Sequence, residues 1–243
     1  MAIKPNLTNQ VAIVTGSGRG IGRATALALS QCGASLIIAA RTLSEIQATA
    51  AEIQKNSGEV VFMQCDIAKE SQITKLYDAA IDKFGKLDIA VHNAAIGRYG
   101  PFKNFTTADL DDLLAVNVRG TYLCCREALQ RMIPQKSGYI INISSVVGFK
   151  GYENQSAYTA SKHAVVGMTK TLALEAQKFN IRASVIHPGG VDTTLVGDAR
   201  PDLDRSMLMQ PEDIAQSILY LLSLSERAAI DEIYIRRRGS APF

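Results

Sequence analysis

Short runs that are apolar almost throughout alternate along this chain with longer stretches of helical period, and that alternation limits the fold more than any other feature. The runs read as strands at about Gln10–Thr15, Ser35–Arg41, Val60–Asp66, Leu87–Asn93, Gly138–Ser145, Arg182–His187 and Glu232–Arg237. Val11-Ala12-Ile13-Val14 and Leu36-Ile37-Ile38-Ala39-Ala40 have no polar face, which suits a parallel sheet covered on both sides. The expected fold is a doubly wound α/β domain with seven mostly parallel strands. The 243 residues contain no repeat, linker or low-complexity tract, so one domain is expected over 1–243.

Local signals place the helices. After Gly20, residues Ile21, Ala24, Leu27 and Ala28 share a face and Cys32-Gly33 closes the segment with the glycine that helix ends favour. Thr42-Leu43-Ser44-Glu45 reads as a capping box opening a second helix. Long helices are expected at about Ala108–Ile133 and Ala157–Phe179, and Gln210-Pro211-Glu212-Asp213 opens a last one running to about Leu222. The stretch 192–210 has no clear period, as expected of a substrate loop. Its apolar members are Leu195, Leu203, Met207, Leu208 and Met209.

Composition excludes several classes of function. Hydrophobic residues make up 47% and charged residues 20%, which is too apolar for a disordered chain. The net charge is +3, from cations that are scattered rather than striped, so nucleic acid is not an expected partner whereas a small anionic ligand is admissible. No run approaches the ~18 apolar residues of a membrane span. Cys32, Cys65, Cys124 and Cys125 show no metal-ligand spacing, so no metal is expected, and reduced thiols point to the cytoplasm.

The turn Thr15-Gly16-Ser17-Gly18-Arg19-Gly20-Ile21-Gly22 follows the first strand and enters a helix. Glycines there let backbone N–H groups approach a pyrophosphate. The second strand ends in Ala39-Ala40-Arg41-Thr42, without the acid that would hold a ribose 2′-hydroxyl. Arg41, with Arg19 as a second cation, suits a 2′-phosphate, so NADP(H) is the expected cofactor. Asp66, followed by Ile67, either accepts from the adenine amino group or caps the following helix.

Tyr158 and Lys162 stand four apart at the start of a helical segment, on one face. An ammonium beside a phenol is expected to bring the phenol pKa toward working pH. Ser145 sits at the carboxyl end of the fifth strand, the edge where open α/β sheets bind ligands, and Ser144 is expected to face away from it.

Together these motifs resemble the short-chain dehydrogenase/reductase family over about Gln10–Arg237, among whose members 3-oxoacyl-acyl-carrier-protein reductases are the most similar in length and spacing. The resemblance implies a Rossmann-type domain and a ketone or aldehyde as substrate. It also implies a catalytic set of Asn117, Ser145, Tyr158 and Lys162. Tyr158 would protonate the carbonyl oxygen, Ser145 orient it, Lys162 hold the nicotinamide ribose and lower the tyrosine pKa, and Asn117 support a water. Gly16, Ser17, Arg19, Gly20, Ile21, Gly22, Arg41, Asp66, Ile67, Asn93 and Ala94 would bind cofactor, with Tyr158, Lys162, Pro188, Gly189, Val191 and Thr193 on the nicotinamide side. A homotetramer or homodimer built on the two long helices is implied as well.

The sequence departs from the family pattern in three places. His92 and Ala95 flank Asn93-Ala94, Ser184 replaces a strand asparagine, and Ala229–Arg236 lacks a glycine-rich closing motif. His92 is expected to be structural. Pocket candidates are Val147, Tyr152, Asn154, Gly189 and Leu195, and Arg126, Arg131, Lys136 and Lys178 are candidates for docking a carrier protein. Arg236-Arg237-Arg238 is expected to be solvated or at a subunit contact. Rival readings are another ketone or sugar dehydrogenase of the same family, a nucleotide-sugar epimerase, or a non-catalytic NADP(H) sensor.

Overall fold

The computed structural model describes residues 4–199 and 204–242. Seven parallel strands form one sheet in the order β3-β2-β1-β4-β5-β6-β7. They are β1 Val11–Thr15, β2 Ser35–Ala40, β3 Val60–Gln64, β4 Ile89–His92, β5 Gly138–Ile143, β6 Ile181–Pro188 and β7 Glu232–Ile235. The helices are α1 Gly20–Gln31, α2 Leu43–Lys55, α3 Glu70–Phe84, α4 Thr107–Leu114, α5 Thr121–Gln135, α6 Ser156–Gln177, α7 Thr194–Ala199 and α8 Pro211–Ser223.

Alternate strand residues feed two cores, as a sheet buried on both faces requires. Val11, Ile13, Ile37 and Ile140 pack with α3 and α5, whereas Ala12, Val14, Leu36, Ile38 and Ile141 pack with α1, α2 and α8. Strand order reverses between β1 and β4, which opens a crevice at the carboxyl edge of the sheet. Each strand expected from sequence is present, but several stop early. Asp66, Asn93 and Ser145 leave the sheet for loops above it, which puts them at that crevice.

Three expectations need correction. Thr42 is the residue before α2, but its side chain makes no capping bond, and the Glu45 carboxylate, which would complete the box, instead pairs with Arg19 at 3.6 Å. The helix expected at Ala108–Ile133 is interrupted by a π-helical turn over Ala115–Gly120, a feature that hydrophobic period does not report. The stretch 192–210 is not all loop: it holds α7, a 3₁₀ turn at Arg205–Met207 and a bridge from Val191 to Met209. Leu203 lies outside the described residues.

Candidate active site

A cavity of about 720 Å³ occupies the crevice. The glycine turn forms one wall. Gly16 takes φ +67 and a Cβ there would lie 2.8 Å from Ala94 Cα. At Gly22 a Cβ would lie 2.2 Å from the Gly16 carbonyl oxygen, so this glycine joins α1 to the turn. Gly22 and Ser17 do not line the cavity. Ser17 is buried and donates to the Ala39 carbonyl at 3.2 Å, so both residues shape the turn from behind. Gly16, Arg19, Gly20 and Ile21 do line it, with Arg41, Asp66, Ile67, Asn93, Ala94, Pro188, Gly189, Val191 and Thr193.

The turn suits a phosphate. Helix α1 opens with no acidic residue in its first turn and no side-chain cap among the described residues, and its first residues, Gly20 and Ile21, line the cavity, as an anion site at a helix start requires. Arg41 makes no ion pair among the described residues, whereas Arg19 is shared with Glu45. Asp66 lines the cavity and also accepts from the Ala68 N–H at 3.0 Å, closing its own turn. Asn93 ties the far side to β1, donating to the carbonyls of Thr15 and Gly16 at 3.1 Å each.

At the opposite end α6 presents Tyr158 and Lys162, both buried. The Lys162 ammonium donates to the Ile143 carbonyl at 2.9 Å and lies 5.7 Å from the centre of the Tyr158 ring. Burial pushes the Lys162 pKa down to about 8. Tyr158 departs from expectation: burial raises its pKa, and the neighbouring Ser145 hydroxyl only moderates the rise. A phenol shielded in this way keeps its proton at neutral pH. Ser144 and Ser145 both line the cavity; the Ser144 hydroxyl is committed to the Lys162 carbonyl at 3.1 Å, whereas that of Ser145 accepts from Val147 N–H at 3.3 Å.

Asn117 does not line the cavity. From the π turn its side chain accepts from Ile96 N–H and donates to the Ile96 carbonyl, both at 2.9 Å, and donates to Ser161 Oγ at 3.2 Å. Ser161 in turn donates to the Tyr158 carbonyl at 2.7 Å. These bonds tie the π turn to the turn of α6 that carries Tyr158.

Val147, Tyr152, Gly189 and Leu195 line the cavity as expected, but Asn154 lies outside it, its carbonyl accepting from Gly100 N–H at 2.8 Å. Tyr99 went unnoticed in the sequence. Its ring meets Tyr158 edge-on at 5.6 Å, and no motif marks it. Arg236 and Arg237 also line the cavity, contrary to a wholly solvated tail. Arg126 and Arg131 are committed to Glu70, Asp78 and Glu127. Lys136 and Lys178 precede the first residues of β5 and β6, at the edge of the sheet opposite the cavity. None of these four cations lines the cavity.

His92 is structural. Asn142 donates to Thr169 Oγ1 at 2.8 Å, so its Oδ1 accepts from His92 Nδ1 at 2.7 Å, and His92 Nε2 accepts from the Tyr77 hydroxyl at 2.7 Å. Burial lowers the His92 pKa to about 4. Ala95 has no positive φ, so its methyl group introduces no strain. Ser184 bonds the Tyr139 hydroxyl at 2.7 Å and joins β6 to Ile230.

A family model for short chain dehydrogenase matches residues 10–204. The chain is similar to a 3-oxoacyl-[acyl-carrier-protein] reductase of Synechocystis, 37% identical over 88% of this chain and 90% of the relative. It is also similar to carbonyl reductase family member 4 of Xenopus laevis, 36% identical over 88% and 91% of the two chains. Among solved structures, a metagenomic short-chain oxidoreductase in complex with NADP is 31% identical. It superposes with a TM-score of 0.85 over 97% of this chain and 100% of that one.

Proposed function

Since the chain belongs to the short-chain dehydrogenase family and is an oxidoreductase, we propose that it uses NADP(H) to interconvert a ketone or aldehyde and an alcohol. A 3-oxoacyl thioester is one candidate substrate. The observation that carries this reading is a buried tyrosine beside Lys162, in the same cavity as Ser145, an uncapped helix start and an Arg41 without an ion pair among the described residues. Support for NADP over NAD comes from Arg41 and from the NADP held by the metagenomic relative.

Residue roles follow from placement. Backbone N–H groups of the glycine turn hold the pyrophosphate, and Arg41 with Arg19 holds the 2′-phosphate. When bound, the cofactor supplies the hydride that reduces the carbonyl carbon. Tyr158 gives its proton to the carbonyl oxygen, and the raised pKa keeps that proton available. Ser145 hydrogen-bonds the same oxygen and fixes its distance from the phenol. Lys162, fixed by Ile143, places positive charge beside the phenolate that proton transfer leaves. Asn117 holds the turn carrying Tyr158 in register.

The test is NADPH oxidation with a panel of ketones, aldehydes, sugars and 3-oxoacyl thioesters. Wild type is expected to turn over at least one class, and Tyr158→Phe to lose roughly 10²–10⁴-fold in kcat while still binding NADPH. Binding without any turnover would replace this reading with an NADP(H) sensor.

We place subunit contacts on the outer faces of α5 and α6, where Tyr122 and Leu174 are 58% and 76% exposed and a Cβ at Gly167 would meet nothing. A homotetramer or homodimer is expected by light scattering, and a monomer would overturn it. The four free, buried cysteines favour a reducing cytoplasm.

A further inference from the structure

Resting on the function proposed above, we infer that Arg237 selects substrates carrying a carboxylate, by pairing with that group at the edge of the cavity beside Gly190. The Gly189 N–H donates to the Ile235 carbonyl at 2.8 Å. That contact extends the β6–β7 pairing past the end of the sheet and brings Arg236 and Arg237 into the wall of the cavity. Gly190 makes room for the second arginine: a Cβ there would lie 3.2 Å from Arg237 Cδ and 3.3 Å from its Nε.

The charges around this wall differ in how far they are satisfied. Arg205 is paired with Asp192 at 2.7 Å. Arg236 is turned onto the carbonyls of Arg237 and Arg238 at 3.2 and 3.3 Å. Arg237 is half-buried and its guanidinium has neither an acid nor a carbonyl partner among the described residues. A partly desolvated guanidinium without an anion is unfavourable, and its planar fork matches a carboxylate through two parallel hydrogen bonds. One uncommitted positive charge also matches the single charge of a carboxylate better than a phosphate dianion. The cations assigned to the 2′-phosphate, Arg19 and Arg41, lie on the glycine-turn side, whereas Arg237 stands beside the turn after β6.

Two measurements test the inference. The first is kcat/KM with NADPH for benzoylformate and for its methyl ester. Wild type is expected to favour the acid by about tenfold or more, Arg237→Gln to lose that preference, and Arg237→Lys to keep part of it. Equal rates on acid and ester in wild type, or a preference unchanged in Arg237→Gln, overturn the inference.

The second measurement needs no turnover: calorimetric titration of the protein–NADP⁺ complex with 4-phenylbutyrate and with its amide. The carboxylate is expected to bind about tenfold more tightly to wild type than to Arg237→Gln, and the amide to show no such difference. If neither protein distinguishes them, the inference fails even where carbonyl reduction is found. If the carboxylate is distinguished but no carbonyl compound reacts, the proposed function fails and the anion site stands. A dissociation constant for NADPH that rises in Arg237→Gln as much as that for phenylbutyrate assigns the residue to the cofactor and overturns the inference.

Discussion

At the scale of single residues, the cavity separates two kinds of arginine. Arg41 makes no ion pair among the described residues, whereas Arg19 shares its charge with Glu45, so most of the discrimination for a 2′-phosphate is expected to fall on Arg41. Arg41→Asp is expected to raise the dissociation constant for NADPH by about 10–100-fold and to change that for NADH far less. Equal losses for both cofactors, measured by fluorescence titration, would remove the 2′-phosphate from this position. Tyr158 shows where sequence reasoning stops. Its spacing from Lys162 is visible in the sequence, but the sign of its pKa shift depends on how deeply it is buried, and burial raises it. Pairing can be read along a helix, whereas desolvation is a property of everything packed around it.

Among the elements, each strand and its partner helices were legible because apolar period reports which face is buried. The breaks were not. The π turn at Ala115–Gly120 sits inside a pattern that looks uniformly helical, yet it aims Asn117 at Ile96 and Ser161 rather than along the helix. Asn117→Ala leaves the buried Ile96 N–H and carbonyl without their partners. A loss of roughly 2–3 kcal/mol is expected, with a Tm lower by about 5–10 °C. An unchanged Tm would show that the turn holds itself. The capping box read at Thr42 is likewise incomplete: Glu45 pairs with Arg19 across the glycine turn, a partner that no local motif names. Arg236 and Arg237 were legible only as a charged tail. Their place in the cavity depends on the pairing of β7 with β6, which joins Val185 to Glu232 across more than forty residues.

For the molecule as a whole, the buried network around His92 couples stability to pH. Tyr77 on α3, Asn142 on β5 and Thr169 on α6 surround the imidazole, so the neutral ring joins three elements to β4. Its folded pKa of about 4 lies below its ordinary value, so the unfolded chain binds the proton more readily. The stabilisation is complete above the unfolded pKa and disappears as pH falls through that value toward 4, which amounts to about 2 kcal/mol between pH 7 and 5. His187, also lowered by burial, adds to the same trend. Urea midpoints for wild type and His92→Asn separate the two, and parallel pH slopes would remove His92 as a cause. One consequence comes from the edge of the sheet. Strand β7 has four residues and a neighbour on one side only, so its backbone amides are expected to exchange with solvent through openings smaller than global unfolding. Substrate selection is thus assigned to residues that follow an edge strand, whereas the glycine turn follows β1, which is flanked by strands on both sides. A change at that edge is therefore expected to alter substrate choice more than cofactor affinity.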